Sequence, residues 1–518
     1  MPVLGPGSRP TTGALARHTR IGVLVCSCAI ALAVSSGPGT AGAQEAAPSL
    51  PLSGLPALID SIVPPPALGP PPREVPPIAA APGEPAGIQA LRIAVMPSDV
   101  GDAFFDEWPD SMGDSANGDV LETRDVTAAA APLVGAPVRE VRQLKVRTTD
   151  SAGVPSFATA TLIVPATPWT GPGGRPVVVN NLPIDALGRA CTPGYTLARG
   201  LSLSTNVADF VPPTTALAAL HGYAVLIPDH EGPRMAYAEP YVAGHAVLDT
   251  IRGLRRALPD EFGASRVVMT GYSGGAIATH GAVKLIDSYA PDLAGDIVGA
   301  ALGGVPADFE MLTRSMNGNL ATGLFHGATL GIARERTEIL GLANNLAQQL
   351  ATSPLKDQCV VTLGAAGVTF LPMQVMADID NPFASPQARE LYRDMKMAGI
   401  ASGAPLYIYN GAQEFWIPAA GARDLYEEQC GLGVPAVYRE VFGEHLIAAV
   451  TGYPGRCIGS TSGCAGSPRR TSARLHDRGC RCGSVGSAPH TVSSHHLGPR
   501  RQQCLNPNPS SVPRVGWT

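Results

Sequence analysis

Beyond residue 43 this 518-residue chain has no apolar run long and uninterrupted enough to cross a bilayer. A transmembrane helix is therefore not expected in its body. That body also lacks the positive charge a nucleic-acid partner requires. The formal net charge is −5, but residues 1–43 hold three Arg and no acid, and residues 456–518 hold nine Arg and one Asp. Removing those +3 and +8 contributions leaves −16 for residues 44–455. An acidic surface of this kind argues against nucleic acid. Cysteine is scarce in the same stretch, limited to Cys191, Cys359 and Cys430. Metal-ligand spacing is missing too. Asp229-His230-Glu231 is a dense polar cluster, but no further ligands accompany it by spacing, so a metal is not expected.

The two ends differ from the middle. Arg9, Arg17 and Arg20 precede an apolar segment, Ile21 to Val34, and Ala41-Gly42-Ala43 fits a small-residue cleavage site. The reading is a signal peptide over 1–43, with a mature start near Gln44. It implies a secreted, extracellular or cell-envelope location, where disulfides are permitted. Residues 44–92 are rich in Pro and Ala and read as an extended linker or a surface-draped arm. Residues 456–518 hold no Lys, no Glu and one aromatic, with nine Arg and five Cys. Such a composition cannot bury enough apolar surface to offset chain entropy. A frameshifted GC-rich gene and a genuine disordered basic tail both fit it.

Between the ends, 93–455 reads as one α/β domain. Leu144–Arg147 and Ala160–Val164 look like early strands. Val177–Val179, Val225–Ile227, Val267–Met269, Ile297–Leu302 and Leu406–Tyr409 are short apolar runs of the kind buried parallel strands show. Leu248–Leu258 has helical spacing. Strands alternating with helices predict a mostly parallel sheet flanked by helices. The rhythm breaks over about 306–399, a helical stretch typified by Ile339–Leu350, which is expected to form a cap or lid.

One motif names a chemistry. Gly271-Tyr272-Ser273-Gly274-Gly275 follows an apolar strand and opens a helical stretch at Ala276. That is the setting of a nucleophile elbow, where a serine sits on a strained turn between close-packed glycines. A serine hydroxyl needs a base, and the base an orienting acid, in chain order Ser, acid, His. His280 lies on the elbow helix, turned away from the strand ends, and His326 falls in the expected cap. His445 follows the strand candidate Ala436–Val441 and precedes a helix beginning at Leu446, which suits a base. Glu414 is the only carboxylate in the loop after Leu406–Tyr409. Asp424, on a helix, reads as a solvated residue. The Gly274 amide is the expected first oxyanion donor. Residues 180–195, which should supply a second, lack a His-Gly-Gly-Gly motif.

Several blocks taken together resemble the secretory lipases. They are Asp229-His230-Glu231-Gly232, Gly271–Gly275, Ser288-Tyr289-Ala290-Pro291-Asp292-Leu293, Gly303-Gly304-Val305-Pro306, Glu428-Gln429-Cys430 and Glu444-His445-Leu446. The resemblance spans about 140–455. It implies an α/β-hydrolase fold with a helical cap over a lipid-binding tunnel, Ser273 as nucleophile and His445 as base. It implies a protonated Asp185 as oxyanion donor, though a plain loop aspartate fits that position as well. It gives Asp229-His230-Glu231 a structural role and pairs Cys191 with Cys359, leaving Cys430 free or joined to a tail cysteine. Two departures stand out. The family's usual acid is Asp, four residues before a Pro, and here Glu414 precedes Pro418. The family chain also continues into an ordered C-terminus unlike 456–518. The expected activity is hydrolysis of acyl esters, triacylglycerol-type lipids or small esters, with transient contact at a lipid interface and no metal or organic cofactor. A peptidase or acyltransferase would share the triad. A silent envelope protein, disabled by its altered C-terminus, is the other alternative.

Overall fold

Val177–Asn181 (β4) and Ala224–Pro228 (β5) are buried at every residue, so both faces of these strands are covered. Side chains alternate between two cores, as the two-residue period of a strand requires. Val177, Val179 and Leu226 enter one cluster, packed with the helices Pro240–Ala257 and Gly274–Tyr289. Val178, Val225 and Ile227 enter a second, packed with Thr127–Val134, Pro193–Arg199 and Thr214–Leu220. The remaining strands are Val120–Asp125 (β1), Val138–Thr149 (β2), Pro155–Pro165 (β3), Val267–Tyr272 (β6), Ile297–Gly303 (β7), Leu406–Gly411 (β8), Ala436–Val441 (β9) and Arg478–Cys480 (β10). Their order is β1-β2-β3-β5-β4-β6-β7-β8-β9-β10. The strands from β5 to β9 pair in parallel, and β1, β2, β3 and β10 join antiparallel at the edges. This mostly parallel, helix-flanked sheet is the α/β-hydrolase arrangement expected.

The structure is a computed structural model. It describes residues 54–68, 85–110, 112–202, 205 and 213–453, and the backbone of 478–480. The chain divides into two units, Met1–Pro51 and Leu52–Thr518, and all described residues fall in the second. The expected signal peptide, and the expected tail apart from 478–480, lie outside them. No helix among the described residues is long and apolar enough to cross a membrane.

The Pro/Ala-rich stretch differs from the extended chain expected of it. It contains the helices Leu55–Ile62 and Ala86–Ala94. Pro56 stands in the first turn of the earlier helix, where its missing N–H and fixed φ cost nothing, and the helix ends just before Pro64. Leu91 and Val95 bury themselves against Ala333 and Leu340 of the cap.

Between β7 and β8 the chain is largely helical, from Phe309 to Met395. The single helix expected over Ile339–Leu350 is broken. A 3-10 turn, Thr337–Leu342, gives way to the helix Asn345–Thr352. Asn344 causes the break: its Oδ1 accepts the Ala347 N–H, and its Nδ2 donates to Val375 O and Ala377 O. The cap is tied to the loop after β4 by the Cys191–Cys359 disulfide, with Cα atoms 5.4 Å apart. Leu187 N–H donates to Gln358 O at 3.0 Å in the same seam. Arg334 is fully buried and donates to the carbonyls of Val95, Leu187, Arg234, Met235 and Lys356. One guanidinium therefore joins arm, loop and cap.

The sheet and the elbow helix meet backbone to backbone. A Cβ on Gly275 would stand 1.9 Å from Asn181 O at the end of β4, and one on Gly271 would stand 2.0 Å from Gly275 O. Gly341 has open space around it. Gly275→Ala should therefore lower the thermal midpoint by several degrees or abolish soluble expression, at a cost of about 3 kcal/mol or more. Gly341→Ala should melt with the wild type, and differential scanning calorimetry compares the two.

Candidate active site

Ser273 sits between β6 and the helix Gly274–Tyr289 with φ 54° and ψ −122°. A non-glycine residue in that region is strained, and surrounding structure must hold it there. Here Ser273 N–H donates to Gly303 O at the end of β7, and the Gly271 and Gly275 backbones close in on either side. The hydroxyl is thus presented above the carboxyl ends of the parallel strands.

The structure brings the three triad candidates together. His445 Nε2 lies 2.9 Å from Ser273 Oγ, and His445 Nδ1 lies 2.7 Å from Glu414 Oε2. His445 opens the helix His445–Thr451 rather than lying in the loop before it. Glu444 caps that helix, its carboxylate accepting the N–H groups of Leu446 and Ile447. The Glu414 side chain is fully buried. Its other oxygen, Oε1, accepts three backbone N–H bonds, from Phe415, Trp416 and Ile417. Burial raises its pKa, but the hydrogen bond and charge of His445, with the backbone donors, outweigh it and hold the carboxyl below its ordinary value. The extra methylene of Glu is accommodated by this loop. Asp424 is exposed on the helix Ala419–Gly431, and Cys430 is half-buried near that helix's end.

Asp185 and Gly274 also meet. Gly274 opens the elbow helix, where first-turn N–H groups have no intrahelical acceptor. Asp185 presses so closely that a Cβ on Gly274 would fall 1.8 Å from its Oδ1. That oxygen is buried without a hydrogen-bond partner. Asp185 has φ 48°. Burial pushes its carboxyl up to about 6, against the opposing effects of His445 and the Tyr237 hydroxyl.

Asp229-His230-Glu231 lies below this loop. Asp229 accepts from Gly194 N–H and Thr159 Oγ1, and His230 Nε2 donates to Leu182 O. Both residues brace the segment that carries Asp185. Burial pushes His230 down to about 4 and Asp229 up to about 7.

Other contributors were not singled out in the sequence. Tyr272, inside the elbow motif, donates its hydroxyl to His445 O, and its ring lies 5.1 Å from the imidazole. Its place beside Ser273 was the available signal. Nothing in the pattern around Arg334 distinguishes it from a surface helix arginine.

Ser273, Gly274, Asp185 and His445 line one cavity of about 850 Å³ that extends under the cap. Its walls are mostly apolar, with Leu187, Phe309, Leu312, Met316 and Leu363 among them. The arrangement couples a hydroxyl, an imidazole and a carboxylate at the edge of a space suited to a long apolar group.

Residues 203–458 match the family model described as secretory lipase. The chain is similar to a probable inactive lipase of Mycobacterium tuberculosis, at 31% identity over 369 residues, covering 68% of this chain and 79% of that protein. It is similar to Lipase 5 of Candida albicans, at 27% identity over 374 residues, covering 68% and 78%. Among solved structures it is similar to Candida antarctica lipase A in its closed state, with a TM-score of 0.60 and 26% identity over 69% of this chain and 84% of that one.

The Asp185 carboxyl titrates near 6 in the fold against an ordinary 3.8, so the folded state holds its proton more tightly. Stability from this group is complete below about pH 4 and is lost as pH rises through about 6. Asp185→Asn cannot ionise. Its stability relative to wild type should therefore improve between pH 4 and pH 7, by up to about 3 kcal/mol. Thermal melts of both proteins across that range check the sign.

Proposed function

The chain belongs to the secretory lipase family, and on that footing we propose that it is a secreted hydrolase of acyl esters that works through Ser273, His445 and Glu414. The observation that carries this reading is the hydrogen-bonded chain Ser273–His445–Glu414 at the mouth of an apolar cavity. Ser273 Oγ attacks the ester carbonyl carbon while His445 Nε2 takes its proton. Glu414 keeps Nδ1 protonated and stabilises the imidazolium. The Gly274 N–H donates to the oxyanion, and the Asp185 carboxyl joins it in the fraction of molecules that holds its proton, which falls as pH rises through about 6. Collapse of the tetrahedral intermediate transfers the proton from His445 to the leaving alcohol and leaves the acyl group on Ser273. Water then repeats the cycle and releases the acid. The cavity's size and apolar walls favour esters of long acyl groups, triacylglycerol-type lipids among them.

A catalytically silent protein is the second reading. It is favoured by the similarity to a probable inactive lipase and by Glu standing where the family usually has Asp. Ester hydrolysis decides between the two. Ser273→Ala should lower turnover by about a thousandfold or more, His445→Ala by a similar factor, and the double variant should add little, because the groups act as a unit. Glu414→Gln should cost up to about ten thousandfold, while Glu414→Asp should keep measurable activity. Wild-type protein that hydrolyses no p-nitrophenyl ester of any chain length would establish the silent reading.

A further inference from the structure

The cap helix Thr322–Glu335 is fixed in rotation by a row of glycines. A Cβ on Gly323 would meet Leu363 O at 2.0 Å, one on Gly327 would meet the Leu363 side chain at 3.0 Å, and one on Gly331 would meet Tyr237 N at 2.6 Å. These contacts dock the helix and leave its neighbouring positions no choice of direction. His326, next to Gly327, lines the cavity that Ser273 and His445 also line.

His326 differs from several polar groups there. The hydroxyls of Thr313, Thr329 and Thr369 donate to carbonyls of their own turns. Among the described residues the His326 imidazole has no hydrogen-bond partner, and its Nε2 is buried. A neutral imidazole carries one donor and one acceptor. Leaving the buried Nε2 unmet is costly, and the other ring nitrogen, Nδ1, has no protein partner among the described residues either.

Building on the proposed ester-hydrolase activity, we propose that His326 is a specificity-determining residue that selects acyl groups carrying a hydroxyl along their chain. A hydroxyl can accept from the imidazole N–H or donate to its bare nitrogen, so either tautomer is satisfied. Burial pushes His326 down to about 4, so the ring is uncharged near neutrality. A neutral ring does not supply the counter-charge that a carboxylate on the chain would need. His326 would contact the acyl group, and no bond is made or broken there.

The test uses p-nitrophenyl dodecanoate and a set of its monohydroxylated isomers with the hydroxyl moved along the chain. Wild-type protein should favour at least one isomer over the plain ester by about tenfold in kcat/KM, the worth of one buried hydrogen bond that would otherwise be unmet. His326→Leu should bring that ratio to one or below while raising kcat/KM for the plain ester. It should also melt at or above the wild-type temperature, because an unmet polar group is gone. His326→Gln, which keeps a donor and an acceptor, should retain part of the preference. A wild type that prefers the plain ester over every isomer overturns the proposal, as does a ratio unchanged in His326→Leu. If the wild type hydrolyses no ester, the enzymatic reading fails by itself. Calorimetric binding of dodecanamide and its hydroxylated isomers to the same proteins then decides the role of His326, with the same ratio expected and equal affinities overturning it.

Discussion

Everything at this site hangs on a backbone contact that only glycine permits. Gly275 lies where a Cβ would strike Asn181 O, and Gly271 lies where a Cβ would strike Gly275 O. Sheet and helix can then close to main-chain distance, and that closeness holds Ser273 at φ 54°. A serine on a relaxed turn would be drawn back toward the strand. The strain is sustained by the sheet, since Ser273 N–H is anchored on Gly303 O of the next strand. His445 and Glu414 come from the ends of the strands beyond, and their meeting with Ser273 is a consequence of parallel registry from β6 through β9.

A second constraint joins the loop after β4 to the cap. Arg334, the Cys191–Cys359 bridge and the Leu187–Gln358 hydrogen bond all connect the segment after β4 to the helices over the cavity. Asp185 lies two residues from Leu187. The carboxyl beside Gly274 and the roof of the cavity are therefore parts of one braced assembly. The apolar enclosure that this assembly creates is also what raises the Asp185 carboxyl and leaves His326 without a partner.

The central strands were legible because burial on both faces writes continuous apolar runs, as at Val177–Val179 and Val225–Ile227. Ser273 was legible because the elbow needs glycines at fixed offsets, and Glu414 because its loop offers no other carboxylate. The edge strand β1 was not, because Val-Leu-Glu-Thr-Arg-Asp faces solvent and carries no apolar pattern. The arm helices were hidden by proline content, although Pro56 stands where a helix accepts it. The break at Asn344 depends on carbonyls of Val375 and Ala377, some thirty residues away, which no local pattern reveals. The same holds for Arg334, whose partners come from four separate segments.

The claim that Ser273 is a nucleophile activated by His445 is tested most directly by covalent capture. Wild-type protein is treated with a fluorophosphonate, digested and mapped by mass spectrometry, beside His445→Ala. The account predicts one phosphonylated residue, Ser273, formed rapidly in the wild type and at a rate lowered by orders of magnitude in His445→Ala. An unlabelled Ser273 in folded wild-type protein, or labelling that proceeds equally well without His445, would contradict it.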